Sequence, residues 1–183
     1  GADVDPTKID MLHSGDSYLK HLGDDFAVEM AKSDKFRATA DAQELATADV
    51  IILCVPTPLG EHGEPDMSYI KQSTDMVAKV LRKGQLVTLE STTYPGTTRG
   101  DCVPILAETG LAVGRDYFVA YSPEREDPGR KDHSTKTIPK LVGGVDEVSG
   151  QLATMLYSAA IAEVVPVESA EIAESAKLLE NIY

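Results

Sequence analysis

Residues 49–58, DVIILCVPTP, decide how the chain is read. The run VIILCV is apolar throughout and rich in β-branched residues. It is shorter than a typical helix, so it reads as a strand covered on both faces. Two prolines end it, because proline has no N–H to give a sheet ladder and fixes the chain's exit. Comparable runs recur at wide, fairly even intervals: QLVTLES (85–91), DYFVAYS (116–122), KLVGG (140–144) and AEVVPV (162–167). Helical patterns lie between them, over 66–81, 97–108 and 146–159. In the first, Ile70, Met76, Val77, Val80 and Leu81 approximate one face and Gly84 stops it. Strand–helix–strand alternation with short connections predicts an α/β fold, a doubly wound parallel sheet.

The first fifty residues show the same grammar in clipped form. GADV (1–4) reads as the end of a strand, and residues 6–12 as a helix with Asp5 as N-cap and Pro6 in its first turn. The short strand FRAT (36–39) and the helix AQELA (42–46) follow. A domain edge is expected near Pro166, with the sheet domain filling 1–166. Beyond it, ESAEIAESAKLLENIY (168–183) reads as one helix with acids in its first turns. Both ends of the sequence read as cut through elements.

Bulk properties narrow the function classes. The 183 residues suffice for one domain with a substantial core, and 42% hydrophobic with 26% charged residues is ordinary for a globular protein. A net charge of -13 argues against nucleic acid and anionic membrane surfaces as partners. No apolar run approaches the roughly 20 residues of a membrane span. Two cysteines, Cys54 and Cys102, give no disulfide framework and no metal spacing, and they fit a reducing cytoplasm.

In open α/β sheets, ligands bind beyond the carboxyl ends of the strands. Three chemically loaded loops fall there. VPTP (55–58) holds Thr57 between Pro56 and Pro58; taken alone it is a rigid turn, and His62 beyond it is expected to face solvent. STTYPGTT (91–98) sets hydroxyls around a Pro-Gly turn before a helix. Thr97 and Thr98 are natural N-caps there, whereas Ser91 and Thr92 lie too early to be caps. Free N–H groups at that helix start would also suit a phosphate, so structural and functional readings are evenly matched. AYSPEREDPGRKDHSTK (120–136) carries four acids and four bases. Charge counting makes it a solvated turn, yet Glu124 stands at a strand end, where a carboxylate can act as general base. In AKLLENIY (176–183), Lys177 and Asn181 share one helical face, either as an oxyanion-stabilising pair or as a polar stripe opposite core-facing Leu178, Leu179 and Ile182.

CVPTPL, LESTTYPGTT, AYSPEREDPG and AKLLENIY, in that order, resemble the motifs of the UDP-glucose/GDP-mannose dehydrogenase family, in particular its UDP-N-acetylhexosamine branch. The resemblance implies a Rossmann-like fold and an NAD-dependent four-electron oxidoreductase. It would convert the C6 alcohol of a UDP-sugar, UDP-N-acetylglucosamine before its mannosamine epimer, to the uronic acid through a cysteine thioester. By the same resemblance, Asp3, with Lys8 nearby, meets the adenosine ribose, Pro56 and Thr57 lie against NAD, and Thr92 touches both cofactor and the water at the reacting centre. Glu124 activates water for thioester hydrolysis, Glu126 lies near the nicotinamide, and Lys177 and Asn181 stabilise oxyanions at C6. No metal is implied. The family pattern further implies a cytoplasmic homodimer formed through a central domain, which residues 167–183 begin to enter, and a product that feeds surface-polysaccharide synthesis. It places the glycine-rich phosphate turn ahead of Gly1 and the nucleophilic cysteine beyond Tyr183. The 183 residues by themselves are therefore expected to bind NAD poorly and not to turn over, with Cys54 and Cys102 structural. A two-electron β-hydroxyacid-type dehydrogenase and a non-catalytic nucleotide-sugar-binding module are the competing readings.

Overall fold

The computed structural model describes residues 1–19, 24–60, 63–124 and 139–182, with side chains as far as Leu179. It divides into two compact units, Gly1–Thr47 and Ala48–Tyr183.

In the first unit, helix α1 (Pro6–Ser14) starts as its sequence predicts. The Asp5 carboxylate accepts the Thr7 N–H, proline occupies the first turn, and Gly15 closes the helix in a left-handed conformation at φ 81°. Helix α2 (Asp24–Lys32), which the sequence reading did not single out, follows with Asp24 and Asp25 in its first turn. The predicted strands GADV and FRAT reduce to a single parallel bridge between Ala2 and Thr39. AQELA forms a 3₁₀ turn, Ala42–Thr47.

The second unit is built on a five-stranded sheet in the order β1-β2-β3-β4-β5. Strands β1 (Val50–Leu53), β2 (Leu86–Leu89) and β3 (Phe118–Tyr121) are parallel, as their near-continuous apolar runs predict. All four residues of β2 are buried, and removing a side chain such as Leu86 or Leu89 from water contributes about 2 kcal/mol. Strand β4 (Lys140–Gly144) runs antiparallel to β3, which departs from the all-parallel expectation. Strand β5 (Val164–Val167) is parallel to β4 and lies at the sheet edge, where Pro166 costs no ladder bond that a further strand would need.

Helix α3 (Ser68–Ala78) buries Ile70, Thr74 and Val77. A π-helical turn, Thr98–Cys102, leads into α4 (Val103–Ala107). Helix α5 (Glu147–Ser158) is capped by Asp146, whose carboxylate takes the Ser149 N–H. Its Ala153 and Tyr157 complete a core with Leu86, Ala120 and Val142. The glycine pair ending β4 is a packing requirement. A Cβ on Gly143 would collide with the Ser169 carbonyl, and one on Gly144 with the Gly150 backbone. Helix α6 (Ala170–Ile182) faces this sheet with Ala170, Ala173 and Glu174, all fully buried. Leu178 and Leu179, expected in the core, are instead exposed. The helix is anchored through small residues and a carboxylate, so its leucines fall on the open side.

Candidate active site

The carboxyl ends of β1, β2 and β3 are tied together by side chains from the motifs that follow them. Ser91 Oγ accepts the Val55 N–H at 2.9 Å, and the Tyr121 hydroxyl donates to the Ser91 carbonyl at 3.2 Å. Burial pushes the Tyr121 phenol up to about 12, so it stays a neutral donor. Glu90 follows β2 directly and donates its N–H to the Leu53 carbonyl at 2.9 Å, while Ser122 donates to Leu89 at 3.0 Å.

An ion cluster lies on this platform. Continuing the β3–β4 register sets Lys140, the first residue of β4, opposite Glu124. Lys140 Nζ is 3.3 Å from Glu90 Oε2 and 3.7 Å from Glu124 Oε2. The Lys140 and Glu90 side chains are 8% and 11% exposed, against 45% for Glu124. From α5, the Tyr157 hydroxyl donates to Glu90 Oε1 at 2.5 Å and lies 3.1 Å from Thr88 Oγ1. The Tyr157 ring centroid is 4.9 Å from the Lys140 ammonium. Burial, then the Glu90 charge, drives the Tyr157 phenol far above its ordinary range. Cys54 sits just past β1 rather than inside the strand. Although much of the residue is exposed, desolvation of its thiol, reinforced by Glu90, pushes it up to about 11. A thiol so protonated is a poor nucleophile at neutral pH. Cys102 is buried, with Thr74 Oγ1 3.6 Å from its sulfur, and burial likewise pushes it up to about 11.

The STTYPGTT turn is held differently from expectation. Thr97 has helical backbone angles, makes no capping bond and donates its hydroxyl to the Tyr94 carbonyl. The acceptor at this helix start is Glu174 of α6. Its carboxylate takes the N–H of Gly96 at 2.5 Å, the N–H of Thr98 at 2.8 Å and the Thr98 hydroxyl at 2.6 Å. These donors are thus engaged by an internal carboxylate and are not free for a phosphate.

Thr92 is exposed two residues beyond Glu90, Thr57 is half-buried, and Pro56 is exposed. Lys177 is half-buried on α6, three residues past Glu174. Glu126 and His62 lie outside the described residues, as does the charged tail 127–136; Asn181 lies on α6, with its side chain outside them. Within the first unit, Lys8 Nζ pairs with Asp3 Oδ2 at 3.1 Å. Against the desolvation that raises it, the Asp5 N–H and Lys8 hold the Asp3 carboxyl below its usual range. An apolar cavity of about 200 Å³ opens beside Asp3, lined by Ile9, Leu12, Tyr18, Phe26 and Met30 among others.

Glu90, Lys140 and Tyr157 were not among the candidates read from sequence. A glutamate directly after an apolar strand and a lysine at the head of KLVGG were the available signals. Only the direction of β4 makes them meet.

Parallel strands carrying loaded loops at their carboxyl ends define a dinucleotide-binding α/β domain. The chain belongs to the UDP-glucose/GDP-mannose dehydrogenase family, whose NAD binding domain matches residues 1–161. It is 38% identical over 184 residues to UDP-N-acetyl-D-glucosamine 6-dehydrogenase of Pseudomonas aeruginosa, covering 99% of this chain and 43% of that protein. Identity to UDP-N-acetyl-D-mannosamine dehydrogenase of Pyrococcus horikoshii is 34%, covering 100% of this chain and 44% of that protein. NDP-N-acetyl-D-galactosaminuronic acid dehydrogenase of Methanosarcina mazei superposes with a TM-score of 0.89 at 37% identity, over 96% of this chain and 38% of the other. A ternary complex of GDP-mannose dehydrogenase from Pseudomonas aeruginosa gives 0.88 at 26% identity, over 100% and 43%. The chain therefore spans less than half the length of these relatives. Among the described residues, no helix is long and apolar enough to cross a membrane.

Proposed function

We propose that the chain is the cofactor-binding part of an enzyme that oxidises the C6 alcohol of a UDP-N-acetylhexosamine to the uronic acid, with UDP-N-acetylglucosamine the first substrate to test. The observation that carries this reading is the family match along residues 1–161, supported by relatives that are named as dehydrogenases of such sugars. In the first unit the residues fit NAD. Asp3 is an ionised acceptor suited to ribose hydroxyls, and the apolar cavity beside it suits a flat base. Lys8 holds that carboxylate in place.

NAD supplies, when bound, the hydride acceptor for two successive oxidations. The residues of this chain do the rest. Pro56 and Thr57 line the cofactor side, joined by Thr92 and, by motif, Glu126. Lys177 and Asn181 stabilise the negative charge that develops on the C6 oxygen. A cysteine thiol from outside the 183 residues adds to the aldehyde, and oxidation of that adduct leaves a thioester. Glu124 takes a proton from water as it attacks the thioester, which releases the carboxylate and returns the thiol. Residues 1–166 form the NAD domain in this reading, and 167–183 begin the helix into a central dimerisation domain. A cytoplasmic homodimer acting in polysaccharide synthesis follows from the same family reading.

The test is stoichiometric. The intact enzyme is given UDP-N-acetylglucosamine or its mannosamine epimer, and NADH is counted against sugar product. Two NADH per uronate are expected. One NADH per product would make the enzyme a two-electron dehydrogenase, and none with either sugar would sink the reading.

A further inference from the structure

We propose that Glu174 is a positioning residue for Lys177: its carboxylate, bonded to Gly96 and Thr98, sets the rotation of α6 and so the approach of the lysine to the reacting centre. The inference rests on the reading of Lys177 as the group that meets the C6 oxyanion.

Packing alone does not account for a carboxylate at this place. The side of α6 that meets the sheet is made of small residues, with Ala170 and Ala173 fully buried. Apolar contacts of that kind are non-directional and leave a helix free to turn about its axis. A fully buried carboxylate carries a desolvation penalty that an apolar side chain of the same size would not. What it adds is direction. The bonds from the Gly96 N–H, the Thr98 N–H and the Thr98 hydroxyl, at 2.5, 2.8 and 2.6 Å, hold both of its oxygens. One turn earlier on the helix, Glu171 accepts Arg99 Nε at 2.6 Å, and Arg99 Nη2 donates to the Val145 carbonyl. That pair is partly exposed and correspondingly weaker, yet it grips the next residue of the same turn.

Glu174 is also the last fully buried side chain of α6 among the described residues. Residues 175–177 are half-buried, and Leu178 and Leu179 are exposed. Lys177 stands three positions on, about 4.5 Å along the axis and on a neighbouring row of the same face. A rotation of the helix at Glu174 is therefore passed on to the lysine. On the other side, Ser91 is fixed to the sheet by the Val55 N–H and the Tyr121 hydroxyl. The segment 91–98, with Thr92 on it, is thus tied at one end to the strands and at the other to Glu174. That carboxylate is where the turn and the helix of Lys177 take their register from each other.

The test asks whether Glu174 acts through the lysine. In the intact enzyme, Glu174→Gln keeps the size of the side chain and sets an amide NH2 where an acceptor stood. It is expected to lower kcat about tenfold, with KM for the sugar and for NAD changed by less than about twofold. In a Lys177→Ala background the same substitution should lower kcat by less than about a further twofold, because the group it positions is gone. Thr98→Val removes one of the three bonds from the side of the turn. It should show the same pattern, and it decides the matter if Glu174→Gln does not fold. Thr98→Ser keeps the hydroxyl and should recover most of the rate. A loss of kcat that multiplies undiminished in the Lys177→Ala background overturns the proposal, since a merely structural role acts whether or not the lysine is there. A loss confined to KM, or no loss, also overturns it. If Lys177→Ala alone turns over at the wild-type rate, the reading of Lys177 fails and the positioning role falls with it. That outcome is separate from the others, because it is seen without any change at Glu174.

Discussion

Glu174 and Thr98, 76 residues apart in the chain, are joined twice: Glu174 Oε1 accepts the Thr98 N–H at 2.8 Å and the Thr98 hydroxyl at 2.6 Å. With the Gly96 N–H on its other oxygen, this fully buried carboxylate fastens α6 to the turn that carries Thr92. Glu174→Ala would leave two buried donors and a half-buried one without their acceptor, and the expected loss of stability is about 3 kcal/mol, read by urea denaturation. Burial raises the Glu174 carboxyl above 4.5 despite these donors, so the folded state binds its proton more tightly than the unfolded chain does. Stability from this group is fullest at the acid end and declines as pH rises through 4.5 and on through the raised value. The margin of the wild type over Glu174→Gln should narrow across that window, and a margin that widens would contradict the assignment.

Asp116 has the opposite sign. The Arg115 guanidinium, the Ala112 N–H and Lys83 hold its carboxyl well below the usual carboxylate range. Its contribution is therefore present above 3.8 and lost as pH falls through its folded value. Asp116→Asn should lower the melting temperature at pH 7 and lower it by less at about pH 2, part of the way down that window. Equal losses at both pH values would show that the carboxylate charge is not what ties the loop.

Cys54 tests the claim that the thioester cysteine lies outside these residues. With its thiol pushed up to about 11, its alkylation at pH 8 should run about two orders of magnitude slower than that of a free thiol. The rate should climb roughly tenfold per pH unit above that. Peptide mapping after iodoacetamide treatment measures this directly. Rapid labelling of Cys54 at neutral pH would make it a candidate nucleophile.

What the sequence disclosed and withheld follows from what each signal encodes. Apolar runs such as VIILCV locate strands because burial is written in composition, but an apolar run carries no arrow. The direction of β4 was therefore illegible, and with it the meeting of Lys140 and Glu124, since a parallel β4 would have carried Lys140 to the other end of the sheet. Local chemistry was legible where it is local: Asp5 caps α1 through a residue two positions on. The cap at Thr98 was misread because its acceptor comes from Glu174, far along the chain, and a threonine before a helix offers the nearer explanation. Glu124 stood out by its place at a strand end, whereas Glu90 was hidden inside LESTTYPGTT, where the hydroxyls drew the attention.

Lys177 separates oxyanion stabilisation from substrate binding. It is half-buried on α6, three residues past the Glu174 anchor, so the turn that fixes Glu174 also fixes its approach. In the intact enzyme, the proposed oxyanion role predicts that Lys177→Ala depresses kcat about a hundredfold while KM for the UDP-sugar changes little, since it would meet a charge present only in the transition state. A raised KM at unchanged kcat would make it a binding residue.

Glu124→Gln addresses the last chemical step. The amide keeps the size of the side chain and loses the base, so both oxidations should proceed while hydrolysis slows by at least about a hundredfold. The enzyme would then release a burst of two NADH per site and stall as a covalent sugar thioester, visible as a mass increase on the intact protein. Steady release of uronic acid at the wild-type rate would remove Glu124 from the mechanism.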